Sequence, residues 1–438
     1  MNNGLPQRWA EIELRECVDV LDNQRVPVNS DERAKRQGDV PYYGATGQVG
    51  WIDEALFNEE LLLIGEDGAP FFDKSKPISY IIRGKSWVNN HAHVLRARSN
   101  VSSNQYLKHF LDSFDFHEFV NGTTRLKLTQ GAMNRIPVRL APLGEQWRMV
   151  AKLEKLLGKV DACQQRLAKI PVLLKRFRQS ILAAACSGLL TADWREEDRV
   201  DGTNDDDLPS HWVRTSVGDV LESLKYGTAT KCGYERRGVP VLRIPNVVSG
   251  MVDHTDLKFA ELPTKELNQL RLVPGDLLLV RSNGSVSLVG RTAVVREEER
   301  DFAYAGYLIR LRPNRTKVDP DFLNLALASF DMRLQIELEA RSTSGVNNIN
   351  SEEVQALQFS LPPPVEQDEI VRRVGALFAL ADQIEARYAK AKAHVGKLTP
   401  SLLAKAFRGE LVPQNPNDEP AEALLRRIRQ QSKKGKKT

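Results

Sequence analysis

The feature that most constrains this chain is that it contains one segment twice. From Leu140 to Leu190 the sequence runs in register, without a gap, with a second segment at a constant offset of 221. Leu140, Pro142, Glu145 and Gln146 match Leu361, Pro363, Glu366 and Gln367. Val150, Leu156, Asp161 and Arg166 match Val371, Leu377, Asp382 and Arg387, and Ser180, Leu182, Ala183, Ala185, Gly188 and Leu190 match Ser401, Leu403, Ala404, Ala406, Gly409 and Leu411. A shorter motif, Leu5-Pro6-x-x-Trp9, recurs as Leu208-Pro209-x-x-Trp212 and opens each half. Such a chain folds as two related halves that each bury the same pattern.

The shared stretch reads as helix. Leu153, Leu156, Val160, Cys163, Leu167, Ile170, Leu174, Phe177 and Ile181 alternate by three and four, and so do Val374, Leu377, Ala381, Ile384, Tyr388, Ala391, Val395, Leu398 and Leu402. A narrow 3-4 seam with a charged remainder is a coiled-coil signature, so the two helices are expected to pack on each other, antiparallel, with a pseudo-two-fold relation between the halves. The seam residues are Leu153, Leu156, Val160, Leu167, Leu174, Ile181, Val374, Leu377, Ile384, Tyr388, Val395 and Leu402. Pro171 lies inside the first seam and Pro400 near the end of the second, where an interior proline predicts a kink or break. Gly188 and Gly409 suit helix stops.

Between each opening motif and each helix lie about 130 residues that barely match across the halves. Both stretches read as mixed α/β, so the fold class is α+β: two variable heads alternating with two long helices. One element persists, since Glu60 to Gly68 resembles Asp276 to Gly284, each a buried strand ending in a glycine turn. The expected boundaries are 1–140 for the first head, 141–192 for the first spacer and 193–207 for an acidic linker. They continue as 208–361 for the second head, 362–412 for the second spacer and 413–438 for a basic disordered tail.

With 438 residues the chain exceeds one core. No stretch approaches the ~20 apolar residues of a membrane span, and Met1 to Glu13 lacks a secretory pattern. Cys17, Cys163, Cys186 and Cys232 are far apart, which disfavours zinc and disulfide frameworks and fits a reducing cytoplasm. The net charge of +5 hints at a polyanionic partner. Asp193 to Asp207 holds eight acids, and Arg426 to Lys437 holds seven basic residues and no acid. There is no P-loop, no Asn/Asp-Pro-Pro-Tyr/Phe tetrapeptide and no Gly-x-Ser-x-Gly elbow. His91-x-His93 without a third ligand reads as structural, and Glu66-Asp67 as a turn or hydrogen-bonding pair. Catalytic, cofactor and metal residues are therefore expected to be none.

Both heads carry polar, glycine-rich loops. In the first, the candidates for DNA contact are Arg33, Lys35, Arg36, Tyr43, Thr46, Asn89, Asn90, His91, Thr123, Thr124, Arg125 and Lys127. In the second they are Lys225, Tyr226, Thr228, Thr230, Lys231, Arg243, Asn246, Arg281, Asn283, Ser285, Arg341, Asn347 and Asn348. Arg, Lys and Asn can grip base edges, while Lys, Ser and Thr hold phosphates. Each alone reads more readily as an ordinary solvated loop residue; the collection in both heads supports binding better than any member does. The seam from Leu153 to Ile181, 28 steps at ~1.5 Å, would separate two heads by roughly one turn of duplex.

The order of these parts resembles the specificity subunit of type I restriction-modification systems. The resemblance rests on the helix openings Pro142 to Gln146 and Pro363 to Gln367, and on the closings Ser180 to Leu190 and Ser401 to Leu411. In the second head it rests on Lys225 to Lys231, Val241 to Asn246, Gly275 to Leu278 and Arg281 to Ser285. In the first head it rests on Pro41 to Gly44, Gly65 to Gly68 and Val88 to Val94. It implies a non-catalytic, cytoplasmic phage-defence subunit whose two recognition domains bind an asymmetric bipartite double-stranded DNA target. The paired helices would dock two methyltransferase (modification) subunits, and two restriction/translocase subunits can join. S-adenosylmethionine, ATP and Mg would belong to those partners. The competing readings are a coiled-coil scaffold, a stand-alone DNA methyltransferase or nuclease, and an orphan DNA-binding subunit without active partners.

Overall fold

The computed structural model describes residues 4–74, 76–123, 125–197, 208–248, 250–340, 342–343 and 346–434. They form two compact units, Met1–Ala168 with Tyr388–Thr438, and Lys169–Arg387. Each unit contains one head, and the heads share a topology that their sequences hide. The main sheet of the first head runs Val18–Val20, Ala92–Ala97, Leu61–Gly65, Ser79–Ile82, with antiparallel neighbours. That of the second runs Leu221–Tyr226, Leu308–Pro313, Leu277–Val280, Thr292–Val294, again antiparallel. A second sheet pairs Val40–Gly44 in parallel with Lys85–Val88, as Val239–Leu242 pairs with Ala303–Tyr304. A two-strand ribbon closes each head onto its helix, Ala10–Glu13 with Pro137–Leu140 and Val213–Ser216 with Gln358–Leu361.

The persistent strand is central because its side chains alternate between two cores. Leu62 and Ile64 join the core that the first helix caps, while Leu61 and Leu63 face a second cluster with Val88 and Val94. Leu277 and Leu279, against Leu278 and Val280, divide in the same way. A continuous apolar run buried on both faces is what such a position requires.

The repeated segments form helices α1 (Leu143–Leu167) and α2 (Ile170–Cys186), and α3 (Pro364–Gly396) and α4 (Leu398–Ala406). Both prolines cause breaks, as expected. Pro171 sits in the first turn of α2, where its missing N–H costs nothing, and Pro400 sits in the first turn of α4. Within the second unit α2 and α3 run antiparallel. Arg178 reaches Asp382 at 2.6 Å and Glu385 at 2.9 Å, whereas Thr191 donates back to Glu366 at 2.7 Å. Leu153, Val160, Leu174, Ile181, Val374 and Val395 are buried, and Leu156, Leu167, Leu377, Tyr388 and Leu402 are half-buried. Ile384 departs from the seam at 37% exposure while Ala381 is fully covered.

The motifs of the repeat are clamps between head and helix. Trp9 Nε1 donates to Glu145 at 3.2 Å, and Trp212 Nε1 to Glu366 at 2.9 Å. Gln146 donates to the carbonyls of Val101 and Ala141 as Gln367 does to those of Lys317 and Pro362. Gly188 (φ 77°) lies against Pro209, and Gly409 (φ 73°) against Pro6. A Cβ on either would stand 2.6 Å and 2.5 Å from the proline Cγ, respectively.

Two expectations change. The tail, expected to be disordered, contains helix α5 (Ala421–Lys434), with Ala421, Leu424 and Leu425 buried. Ala421, Leu425 and Ile428 recur at helical spacing and pack into the first head's core, a stripe that the flanking basic residues mask in the sequence. Arg429 pairs with Glu16 at 2.6 Å, and the carbonyls of Asn415, Pro416 and Asp418 receive the Arg8 guanidinium. Of the acidic linker, Ala192–Glu197 is helical and 198–207 lies outside the described residues.

Candidate nucleic-acid interface

In each head the turn after the central strand pairs with a short hairpin, forming a ladder at one edge. In the first head Glu66–Gly68 meets the hairpin Val120–Asn121/Lys127–Leu128 through an Asp67–Lys127 bridge and the bond Leu128 N–H to Glu66 O at 2.7 Å. In the second, Ser282–Asn283 pairs with Val346–Asn348, which pairs with Ser342–Thr343. Backbone hydrogen bonds hold both ladders, so their side chains are free to differ.

They differ in chemistry. Glu66 takes Arg25 at 2.8 Å and Lys127 at 3.2 Å. Asp67 takes His91 at 2.7 Å and Arg125 at 2.9 Å. The acids thus orient cations around the turn, the bonding role their position suggested. His93, 1% exposed, is instead internal, between Asp22 at 2.6 Å and the Leu128 carbonyl at 2.8 Å. In the second head Arg281 Nε donates to Asn348 Oδ1 at 3.2 Å, and its guanidinium carbon stands 4.6 Å from the Tyr226 ring centroid. The Tyr226 hydroxyl accepts from the Ser351 N–H at 2.9 Å. Asn347 donates to Gly284 O at 3.1 Å, and Asn283 Oδ1 accepts from Ser285 N–H at 2.9 Å. The ladders therefore bring together His91, Arg125 and Lys127 in one head, and Tyr226, Arg281, Asn283, Ser285, Asn347 and Asn348 in the other.

The remaining candidates lie elsewhere. Lys35, Thr46, Asn90, Thr123, Lys225, Thr230 and Lys231 are exposed, and Tyr43 is half-buried with its ring 6.0 Å from that of Tyr80. Arg33 stacks 4.8 Å over Tyr42. Arg36 lies over Trp87 and is tied to Asp53 at 2.8 Å and Glu54 at 3.1 Å, and the Asp53 hydrogen bond raises its pKa. Arg243 is tied to Asp256 at 2.6 Å and holds that carboxyl below its usual range.

Three of the expected contacts are buried. Asn89, Thr228 and Asn246 are 8%, 4% and 1% exposed, and each makes side-chain hydrogen bonds inside the head. Asn89 caps His91 N–H, Thr228 donates to Glu266 and accepts from Thr230, and Asn246 braces Arg243, Asp253 and Asp256. A buried amide gains more by closing its own turn than by waiting for a ligand. Thr124 and Arg341 lie outside the described residues.

Sequence reasoning missed Tyr307, 64% exposed, whose carbonyl accepts from Arg281 N–H at 3.0 Å. Its signal is a glycine-flanked aromatic ahead of a strand. It also missed Arg25, which lies in no motif. Among the described residues there is no group of three or more His, Cys, Asp or Glu able to hold a metal ion, and no helix long and apolar enough to cross a membrane.

A family model described as the type I restriction modification DNA specificity domain matches residues 6–172 and 209–392. The chain is 34% identical over 351 residues to the EcoKI specificity subunit of Escherichia coli K12, covering 77% of this chain and 73% of that one. A solved chain from a type I R-M system aligns with TM-score 0.66 at 19% identity, covering 93% of this chain and 99% of its own. The HsdS subunit from Thermoanaerobacter tengcongensis aligns with TM-score 0.56 at 18% identity, covering 93% and 98%.

Proposed function

This chain belongs to the type I restriction-modification DNA specificity family, and from that premise we propose that it reads an asymmetric, two-part duplex DNA target, one part per head. The observation that carries this reading is the pair of ladders: one strand order in both heads, with acids and cations on one edge and Arg281 with asparagines on the other. A common frame with exchangeable side chains is what two independent half-site readers need. The exposed faces of the spacer helices would dock two methyltransferase subunits, and two restriction/translocase subunits would join them. This chain contributes no catalytic step; S-adenosylmethionine, ATP and Mg act in the partners.

The test is co-expression with a cognate methyltransferase subunit, followed by sequencing of adenine methylation in the host DNA. A split motif with a fixed gap supports the reading. Exchanging residues 1–140 for another head should then change one part alone. DNA binding without methylation would indicate an orphan subunit, and a complex that binds no DNA would favour a scaffold.

A further inference from the structure

We infer that Arg125 in the first head and Arg281 in the second each read a guanine, one in each part of the target, and that Asp67 and Asn348 are their positioning residues. This rests on the DNA-reading function proposed above. The two ladders occupy equivalent places in one topology, and each carries one arginine held by a side chain from the opposite strand of the ladder. The direction is reversed between heads. Arg281 comes from the turn and is held by Asn348 from the hairpin. Arg125 comes from the hairpin loop and is held by Asp67 from the turn.

Each guanidinium keeps its reading edge. Arg281 spends Nε on Asn348 at 3.2 Å and lies over Tyr226 at 4.6 Å, and its two terminal nitrogens make no hydrogen bond or ion pair among the described residues. Its clamp is itself clamped, since the Tyr226 hydroxyl is fixed by Ser351 N–H. Arg125 is 62% exposed along its side chain, and its contacts to Asp67 at 2.9 Å and His91 Nδ1 at 3.4 Å both use one terminal nitrogen of a five-donor group, Nη2. By contrast Arg36 and Arg243 are tied to carboxylates away from the ladders. A planar fork held before binding loses less rotamer freedom on contact, and its geometry matches guanine O6 and N7 in the major groove.

The experiment is selection of bound duplexes from a random library by the full chain co-purified with its methyltransferase subunits. The wild type should retrieve a split motif containing a guanine in each part. Arg281→Ala should lose one guanine preference in one part, leave the other part unchanged, and bind the wild-type target roughly 5- to 150-fold more weakly. Arg125→Ala should do the same in the other part. Arg281→Gln should move the preference from guanine to adenine at that position, a gain that misfolding cannot produce. Asn348→Ala and Asp67→Asn should blur the same positions without shifting others. Variants that bind every sequence more weakly with both parts intact would make these arginines phosphate contacts and overturn the inference. Variants that lose nothing would overturn it too. A wild type that enriches no motif would overturn the DNA-reading function itself, and the inference with it.

Discussion

Glu145 and Glu366 occupy the same place in the repeat, yet replacing each with glutamine should have opposite consequences. Glu366 is completely buried and accepts four bonds: from Thr191 at 2.7 Å, Arg195 at 2.6 Å, His211 at 2.8 Å and Trp212 at 2.9 Å. Burial pushes its pKa up, but these bonds together outweigh burial and hold it below the usual 4.5. Glu145 is 1% exposed and accepts only from Trp9, with no donor to Oε1 among the described residues; burial raises its pKa. The difference has a local cause. Arg8, at the position of His211, turns to the carbonyls near Asp418, and Val412 stands where Thr191 does. In Glu366→Gln the amide faces two donors and leaves Arg195, 11% exposed, without its charge partner, a loss of ~3–5 kcal/mol. In Glu145→Gln the carbonyl keeps Trp9 and a poorly solvated charge disappears, so stability should stay within ~1 kcal/mol of wild type or rise. Hydrogen-exchange mass spectrometry reads the two units separately. Amides in 208–216 and 358–370 should lose roughly a hundred- to several-thousand-fold protection in Glu366→Gln, while 9–14 and 136–146 hardly change in Glu145→Gln. Equal losses in both variants would refute the reasoning.

The same carboxyls give opposite pH slopes. Glu366, depressed, contributes stability that is present above 4.5 and lost as pH falls through its folded value. Glu145, raised, favours its protonated form, so local protection of the first unit should increase as pH falls from above its folded value toward 4.5. Gly409→Ala should cost about 1–2 kcal/mol from the left-handed backbone alone, with more from the 2.5 Å approach to Pro6, measurable by chemical denaturation. Truncation after Val412 removes the buried Leu424 and Leu425, up to roughly 3–6 kcal/mol of burial, and should make the first head protease-sensitive while leaving the second intact. Arg166→Glu with Arg387→Glu, both exposed on the spacers, should weaken co-purification of the methyltransferase subunits, more so at low salt. Unchanged assembly would place the docking surface elsewhere.

The repeat made the architecture legible because helix seams and clamp motifs are local patterns that survive duplication. The strand order of the heads was not, apart from Leu61–Ile64 and Leu277–Val280, because sheet order depends on pairings between distant segments. The burial of Asn89 and Asn246 was illegible for a related reason. A sequence shows that an amide can bind a base, but not that its own turn has already used it. Helix α5 was hidden because five apolar residues among many polar and basic ones carry little compositional weight, although they suffice to cover a core.

The two copies also sort residues by role. Where the halves agree, at Trp9/Trp212, Glu145/Glu366, Gln146/Gln367 and Gly188/Gly409, side-chain bonds and the close glycine backbone clamp helix to head. Where the frame agrees but the side chains do not, at Asp67 against Asn283 and Lys127 against Asn347, the backbone bonds persist and the chemistry turns outward. A ladder closed by main-chain atoms tolerates such exchange at little cost in folding. Recognition can therefore diverge in one head without disturbing the clamps in either, as long as substitutions stay on that edge and off the motifs that repeat.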